Sequence, residues 1–102
     1  AIQETYTHKR ELFLGGLEQI GLNFTRPQGA YYVLMDISEF GYKSDDQFCI
    51  DLAQKVGVAA VPGSSFFREP VNHLIRFHFA KKDETLYDAL NRLESLRKKL
   101  KL

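Results

Sequence analysis

Leu74-Ile75-Arg76-Phe77-His78-Phe79-Ala80 places one guanidinium inside a run of apolar and aromatic residues. The run has the composition of a β-strand, and side chains alternate faces along a strand. Ile75, Phe77 and Phe79 therefore point one way, towards a core. Leu74, Arg76, His78 and Ala80 point the other way. An arginine on rigid backbone can grip a carboxylate or phosphate with two parallel N–H bonds and fix its pose. On the strand alone a surface ion pair is the favoured reading of Arg76, because such pairs are common and mostly inert.

Other reactive residue types have structural readings. Asp45 and Asp46 follow Ser44 and precede Gln47, the spelling of a capping box, so their carboxylates suit the first turn of a helix rather than an acid–base dyad. His8, His73 and His78 lack metal-ligand spacing to a cysteine or carboxylate cluster. His73 precedes a strand and reads as a surface residue, and His78 shares the Arg76 face. Gly63-Ser64-Ser65 could form a small anion nest, but the favoured reading is a turn in which glycine lets the backbone bend after a strand. The lone Cys49 excludes an intramolecular disulfide, fits a reducing compartment and suits a small core filler within a helix.

The 102 residues fit a single domain spanning 1–102, and 44% hydrophobic with 13% aromatic content supplies a core without disulfides or metal. A formal net charge of +1 gives no broad basic surface, which argues against general nucleic-acid binding. No apolar run is long enough to span a bilayer, and Ala1 to Thr5 is not followed by a signal-peptide core. These features lead to an expectation of a cytoplasmic protein without membrane partners. The missing initial methionine suits a fragment, and methionine removal before Ala1 would look the same.

Periodicity predicts the elements that position Arg76. Residues 4–20 form an amphipathic helix with Tyr6, Phe13, Leu17 and Ile20 in helical spacing and Gly21 at the C′ position. Gly15-Gly16 weakens that helix and calls for a close contact or a kink. Strands are expected at 22–24 and 30–36, separated by the turn Arg26-Pro27-Gln28-Gly29. A loop over 37–43 leads to a helix capped by Ser44, with Gln47 reaching back. Phe48, Leu52 and Val56 line its face with Cys49 and Ala53, and Gly57 ends it. Val58 to Val61 reads as a short strand, and Glu69-Pro70 with Asn72 as a turn before the arginine strand. Asp83 is the expected N-cap of a final helix whose Leu86, Leu90, Leu93, Leu96 and Leu100 face inward, with Asn91 and Arg97 off that stripe. The order α-β-β-α-β-β-α predicts an α+β fold, a small and mostly antiparallel sheet with helices on one face. The bare face would suit a partner domain.

Four segments, in order, resemble the C-terminal small domain of fold-type I, class I and II pyridoxal-phosphate aminotransferases. Tyr6-Thr7-His8-Lys9-Arg10-Glu11 is similar to the family's Tyr-x-x-Arg-Arg-Asp helix, with Lys9 and Glu11 keeping the charges. Pro27-Gln28-Gly29-Ala30-Tyr31-Tyr32 resembles the Pro-x-Gly-(Ala/Gly)-aromatic start of a strand. Gly57-Val58-Ala59-Ala60-Val61-Pro62-Gly63-Ser64-Ser65-Phe66 is similar to Gly-Val-x-Val-x-Pro-Gly-x-x-Phe, with Ala60 in place of the second valine. Ile75-Arg76-Phe77-His78-Phe79-Ala80, followed by Asp83-Glu84-Thr85-Leu86, resembles the Ile/Val-Arg-x-x-aromatic-Ala strand and final helix.

The resemblance implies that Arg76 binds the α-carboxylate of an amino-acid or 2-oxo-acid substrate. It implies that Tyr31 and the Pro62–Phe66 loop border the substrate cleft, although Tyr31 could equally pack between domains. It places the cofactor lysine, the acidic partner of the pyridinium and the phosphate cup in a large domain upstream, so pyridoxal phosphate belongs to a parent enzyme, commonly a homodimer, and not to this segment. Ser95-Leu96-Arg97-Lys98 spells Ser-x-x-Lys, but its basic helical setting reads as a solvated helix end. The rival expectation is a free-standing, non-catalytic α+β module that binds small carboxylates or a protein partner.

Overall fold

The computed structural model describes residues 2–25, 31–65 and 73–100, with side chains from Thr5 onward. The turns expected at 26–29 and 69–72, together with Ala30, Phe66 and Phe67, lie outside the described residues.

Helix α1 runs from Ile2 to Ile20. Its Phe13, Leu14 and Leu17 are buried, with Tyr6 and Ile20 packed at the margin. Gly21 ends it with a positive φ of 83°, its N–H donating to the Leu17 carbonyl at 3.0 Å. The first strand is displaced from 22–24 to Phe24–Thr25, β1. The reason is local: the Leu22 N–H also donates to Leu17, so the helix cap consumes the start of the expected strand. Strand β2 is Tyr32–Asp36, and a 3₁₀ turn at Ser38–Phe40 occupies the expected loop.

Helix α2 covers Asp45–Asp51, and the Ser44 hydroxyl accepts from the Gln47 N–H at 3.4 Å. Gln47 does not complete the capping box, because its amide donates to Asp51 Oδ1 at 2.9 Å, one turn ahead. The chain then widens over Leu52–Val56, where the Gly57 N–H reaches back five residues to the Leu52 carbonyl at 2.8 Å. Gly57 ends this turn at φ 85°, a conformation that suits glycine. Phe48, Cys49, Leu52 and Val56 are buried as expected, whereas Ala53 is exposed on the widened turn.

The strand expected over 58–61 shrinks to Val61–Pro62, β3. Val58 is buried, but its N–H closes the helix end onto Leu52. Pro62 is tolerated because β3 lies at the sheet edge. A 3₁₀ turn at Gly63–Ser65 follows, and β4 is Leu74–His78.

Helix α3 covers Asp83–Leu93 and α4 covers Leu96–Leu100. Lys82, not Asp83, is the N-cap of α3 and provides no side-chain cap bond. The Asp83 carboxylate instead meets His8 Nε2 at 2.6 Å and accepts from Lys9 Nζ at 3.2 Å, joining α3 to α1. The single final helix is interrupted at Glu94-Ser95, where the Ser95 hydroxyl donates to the Arg92 carbonyl at 2.9 Å.

The sheet order is β1-β2-β4-β3, and every described pairing is antiparallel. Val33, Met35, Ile75 and Phe77 point into the core and are at most 2% exposed. Phe13 packs edge-on against Phe77 at 5.9 Å between ring centroids. The opposite face, carrying Tyr32, Leu34, Asp36, Leu74, Arg76 and His78, has no buried residue. The expected α+β arrangement, a small antiparallel sheet with one helix-covered face, is present.

Candidate functional site

Arg76 projects from the uncovered face, as strand alternation requires, and is half-buried there. The register sets Leu34 of β2 beside it on one side and Val61 of β3 on the other. Its apolar stem therefore lies between those two side chains. The guanidinium carbon stands 5.3 Å from the centroid of the Tyr32 ring. Tyr32 is cross-strand partner to His78, and their rings meet edge-on at 6.4 Å. Asp36, farther along the same face, accepts the Ser38 N–H at 2.8 Å. Partial burial opposes its ionisation, but the bonds from Ser38 and the nearby His73 prevail and hold its pKa below the usual carboxylate value.

Tyr31 is not brought to this face. Its ring packs edge-on against Tyr6 at 5.0 Å and lies 5.6 Å from Phe79, on the helix side of the sheet. Arg76 and Tyr31 thus occupy opposite sides of the same strand pair. Tyr32, one residue on, is the aromatic neighbour of the arginine. Sequence reasoning missed it because only the β2–β4 register shows which of two adjacent tyrosines shares the arginine's face.

The Gly63–Ser65 turn borders β4. The Ser64 N–H donates to Asp45 Oδ2 at 2.8 Å and the Ser64 hydroxyl to Asp45 Oδ1 at 2.9 Å. The chain's own carboxylate thus takes the N–H that an anion nest would need, and the turn reading holds. Gly63 is required by close approach: a Cβ there would stand 2.7 Å from the Leu74 carbonyl oxygen. Asp45, only 2% exposed, therefore anchors this turn as well as sitting in the first turn of α2. Its capping-box position concealed that second role.

The remaining candidates are structural. Burial, reinforced by Asp45 and Asp46, pushes the Cys49 thiol up to about 12, unsuited to a nucleophile. Lys98 is exposed near the end of α4, and the Ser95 hydroxyl of the same spelling is engaged by backbone. Among the described residues no group of three or more His, Cys, Asp or Glu side chains converges on a metal position, and no helix is long and apolar enough to cross a membrane.

Comparison with known proteins gives a consistent result. The family model described as "Aminotransferase class I and II" matches residues 1–93. A probable N-succinyldiaminopimelate aminotransferase, DapC, of Mycobacterium tuberculosis is 35% identical over 106 residues, covering 94% of this chain and 27% of that protein. A methionine aminotransferase of Escherichia coli is 39% identical over 97 residues, covering 94% of this chain and 25% of the relative. The solved structure of N-succinyldiaminopimelate aminotransferase from Mycobacterium tuberculosis superposes with a TM-score of 0.84 at 38% identity, over 94% of this chain and 26% of that one. The aromatic aminotransferase of Pyrococcus horikoshii gives 0.84 at 29% identity, over 95% and 26%. The chain spans about a quarter of the length of the curated relatives it matches.

Proposed function

The chain belongs to the class I and II aminotransferase family, and from that premise we propose that residues 1–102 are the C-terminal small domain of a larger pyridoxal-phosphate enzyme. That enzyme moves an amino group between an amino acid and a 2-oxo acid, and Arg76 binds the substrate's α-carboxylate. The observation that carries this reading is the placement of Arg76 on the only uncovered sheet face among the described residues. A planar fork meeting a planar carboxylate makes two charge-assisted hydrogen bonds and fixes the orientation of the adjoining amino-bearing carbon. Both amino acid and oxo acid carry that carboxylate, so one contact serves both directions of the exchange.

Pyridoxal phosphate supplies the electron sink for such chemistry when bound. Engagement of three of the described lysines and of the nest-like turn with other partners supports a cofactor site elsewhere in the parent. Lys9 is committed to Asp83, Lys55 lies 3.9 Å from Asp51, and Lys99 leans on the Lys55 carbonyl. The nest-like turn at Ser64 is filled by Asp45. In this reading, which follows the family resemblance, the cofactor site belongs to the part of the parent outside this segment, and the segment alone is inactive. The large domain of the same chain covers the open sheet face, its movement against this domain closing the cleft. The parent is a cytoplasmic homodimer, and Tyr31 packs within this domain, against Tyr6 and Phe79, rather than contacting the carboxylate.

In the full-length enzyme, Arg76→Ala should lower kcat/KM on the order of 100-fold or more for every amino-acid substrate, chiefly through KM, because one partner of a charge-assisted pair is lost. An unchanged kcat/KM would remove the role given to Arg76. Reading the upstream coding sequence separates this proposal from a free-standing module.

A further inference from the structure

Tyr32 is a large aromatic residue left 36% exposed, so it is not spent on the core. It lies diagonally across the β2–β4 ladder from Arg76, within the reach of an aromatic ring and a long side chain. At 5.3 Å the guanidinium carbon is inside the range over which a ring's π face attracts a cation. The ring is steadied in turn by its edge contact with the His78 imidazole.

A ring attracts the guanidinium charge without accepting its in-plane N–H bonds. The ring contact restrains the arginine and itself occupies none of its in-plane donors, which lowers the ordering cost of binding.

We propose that Tyr32 is a positioning residue that holds the Arg76 guanidinium for the substrate's α-carboxylate. This rests on the assignment of Arg76 as the carboxylate clamp. Because the ring acts on the shared carboxylate and not on the side chain, its effect is the same for every amino-acid and oxo-acid substrate of the enzyme.

The test uses steady-state kinetics of the full-length enzyme. Tyr32→Phe and Tyr32→Trp keep a π face and should leave KM within about twofold of wild type. Tyr32→Leu keeps apolar bulk but removes the ring. It should raise KM for amino and oxo acids alike by roughly 3- to 30-fold, with kcat moving less. In an Arg76→Ala background Tyr32→Leu should add no further loss. If Tyr32→Leu matches wild type while Arg76→Ala is impaired, the positioning role is overturned and the clamp stands. A Tyr32→Leu loss that persists undiminished without the arginine also overturns it. If Arg76→Ala itself is without effect, the clamp assignment fails, and this inference with it. Should Tyr32→Leu not fold, Tyr32→Phe and Tyr32→Trp still decide: a tenfold rise in KM in either would contradict a role for the ring face.

Discussion

Arg97 meets Glu39 fork to fork, Nε donating to Oε2 at 2.9 Å and Nη2 to Oε1 at 3.0 Å across 58 positions of sequence. The same guanidinium donates to the Ile20 carbonyl at 2.8 Å and the Gly21 carbonyl at 2.6 Å. One side chain of α4 thus satisfies carbonyls at the end of α1, where a cation is favoured, and ties them to the 3₁₀ turn after β2. The hydrogen bonds to Glu39 raise the guanidinium's pKa, against partial burial. Arg97→Ala should cost about 1–3 kcal/mol in denaturant titration. The Glu39 arm is discounted because the Arg97 side chain is 38% exposed. Arg97→Lys should recover little, since an ammonium cannot reproduce the planar fork. A lysine variant as stable as wild type would mean that charge alone matters there.

Two adjacent glycines of α1 should respond differently to alanine. A Cβ on Gly15 meets nothing within 4 Å, whereas one on Gly16 would stand 2.4 Å and 2.6 Å from the two methyls of Leu90 and 3.0 Å from its Cγ. Gly15→Ala should stabilise by about 0.5–1 kcal/mol through helix propensity. Gly16→Ala gains the same propensity but must displace the whole end of a buried leucine, so it should be less stable than Gly15→Ala by about 1–3 kcal/mol. Thermal unfolding of the pair checks this. Equal stabilities would show that α3 yields freely at that crossing.

The residues that were legible in the sequence are those whose placement depends on near neighbours. Strand alternation places Arg76 opposite Ile75 and Phe77, the Ser44 hydroxyl caps α2, and Gly57 ends the widened turn that continues it. The close contact expected at Gly15-Gly16 is present at Gly16 alone. What escaped depends on partners distant in sequence. Asp83 has the right type and position for an N-cap, yet His8 and Lys9, more than 70 residues away, claim its carboxylate. Arg97 was set aside for lying off the leucine stripe, and its acceptors come from two other elements. Tyr32 and Tyr31 are both plausible neighbours of Arg76 until the register decides between them. The break at Ser95 was hidden because the leucine periodicity continues through it.

Alkaline conditions should expose the Tyr42–Asp51 pair. The Tyr42 hydroxyl donates to Asp51 Oδ2 at 2.5 Å. Burial first, and then the bond to Asp51, push its pKa up from the ordinary 10.0 to about 12. The folded state therefore favours the protonated phenol. Its contribution is complete below pH 10.0 and is lost as pH rises through about 12. Asp51 behaves oppositely. The bond from Tyr42 lowers its pKa, so its contribution holds above the ordinary carboxylate range and fades as pH falls through the depressed folded value. Tyr42→Phe should flatten the stability profile on the alkaline side and shorten its acid limb. Unfolding free energies across a pH series check this, and a Tyr42→Phe profile parallel to wild type would exclude the coupling.

Asp45 links the second helix to the border of the arginine strand. Both its oxygens are used by Ser64, and it is 2% exposed, so Asp45→Ala leaves a backbone N–H and a hydroxyl without their acceptor. A loss of about 2–3 kcal/mol is expected. Asp45→Asn keeps one acceptor oxygen and should lose less, and Ser64→Ala, which removes only the hydroxyl arm, about 1 kcal/mol. The turn cannot shift alone, because Gly63 is packed against the Leu74 carbonyl, two residues before Arg76. In the full-length enzyme Asp45→Ala should therefore raise substrate KM as well as lower the unfolding midpoint. A variant that is less stable but has wild-type KM would confine Asp45 to holding the fold and free the position of Arg76 from the turn.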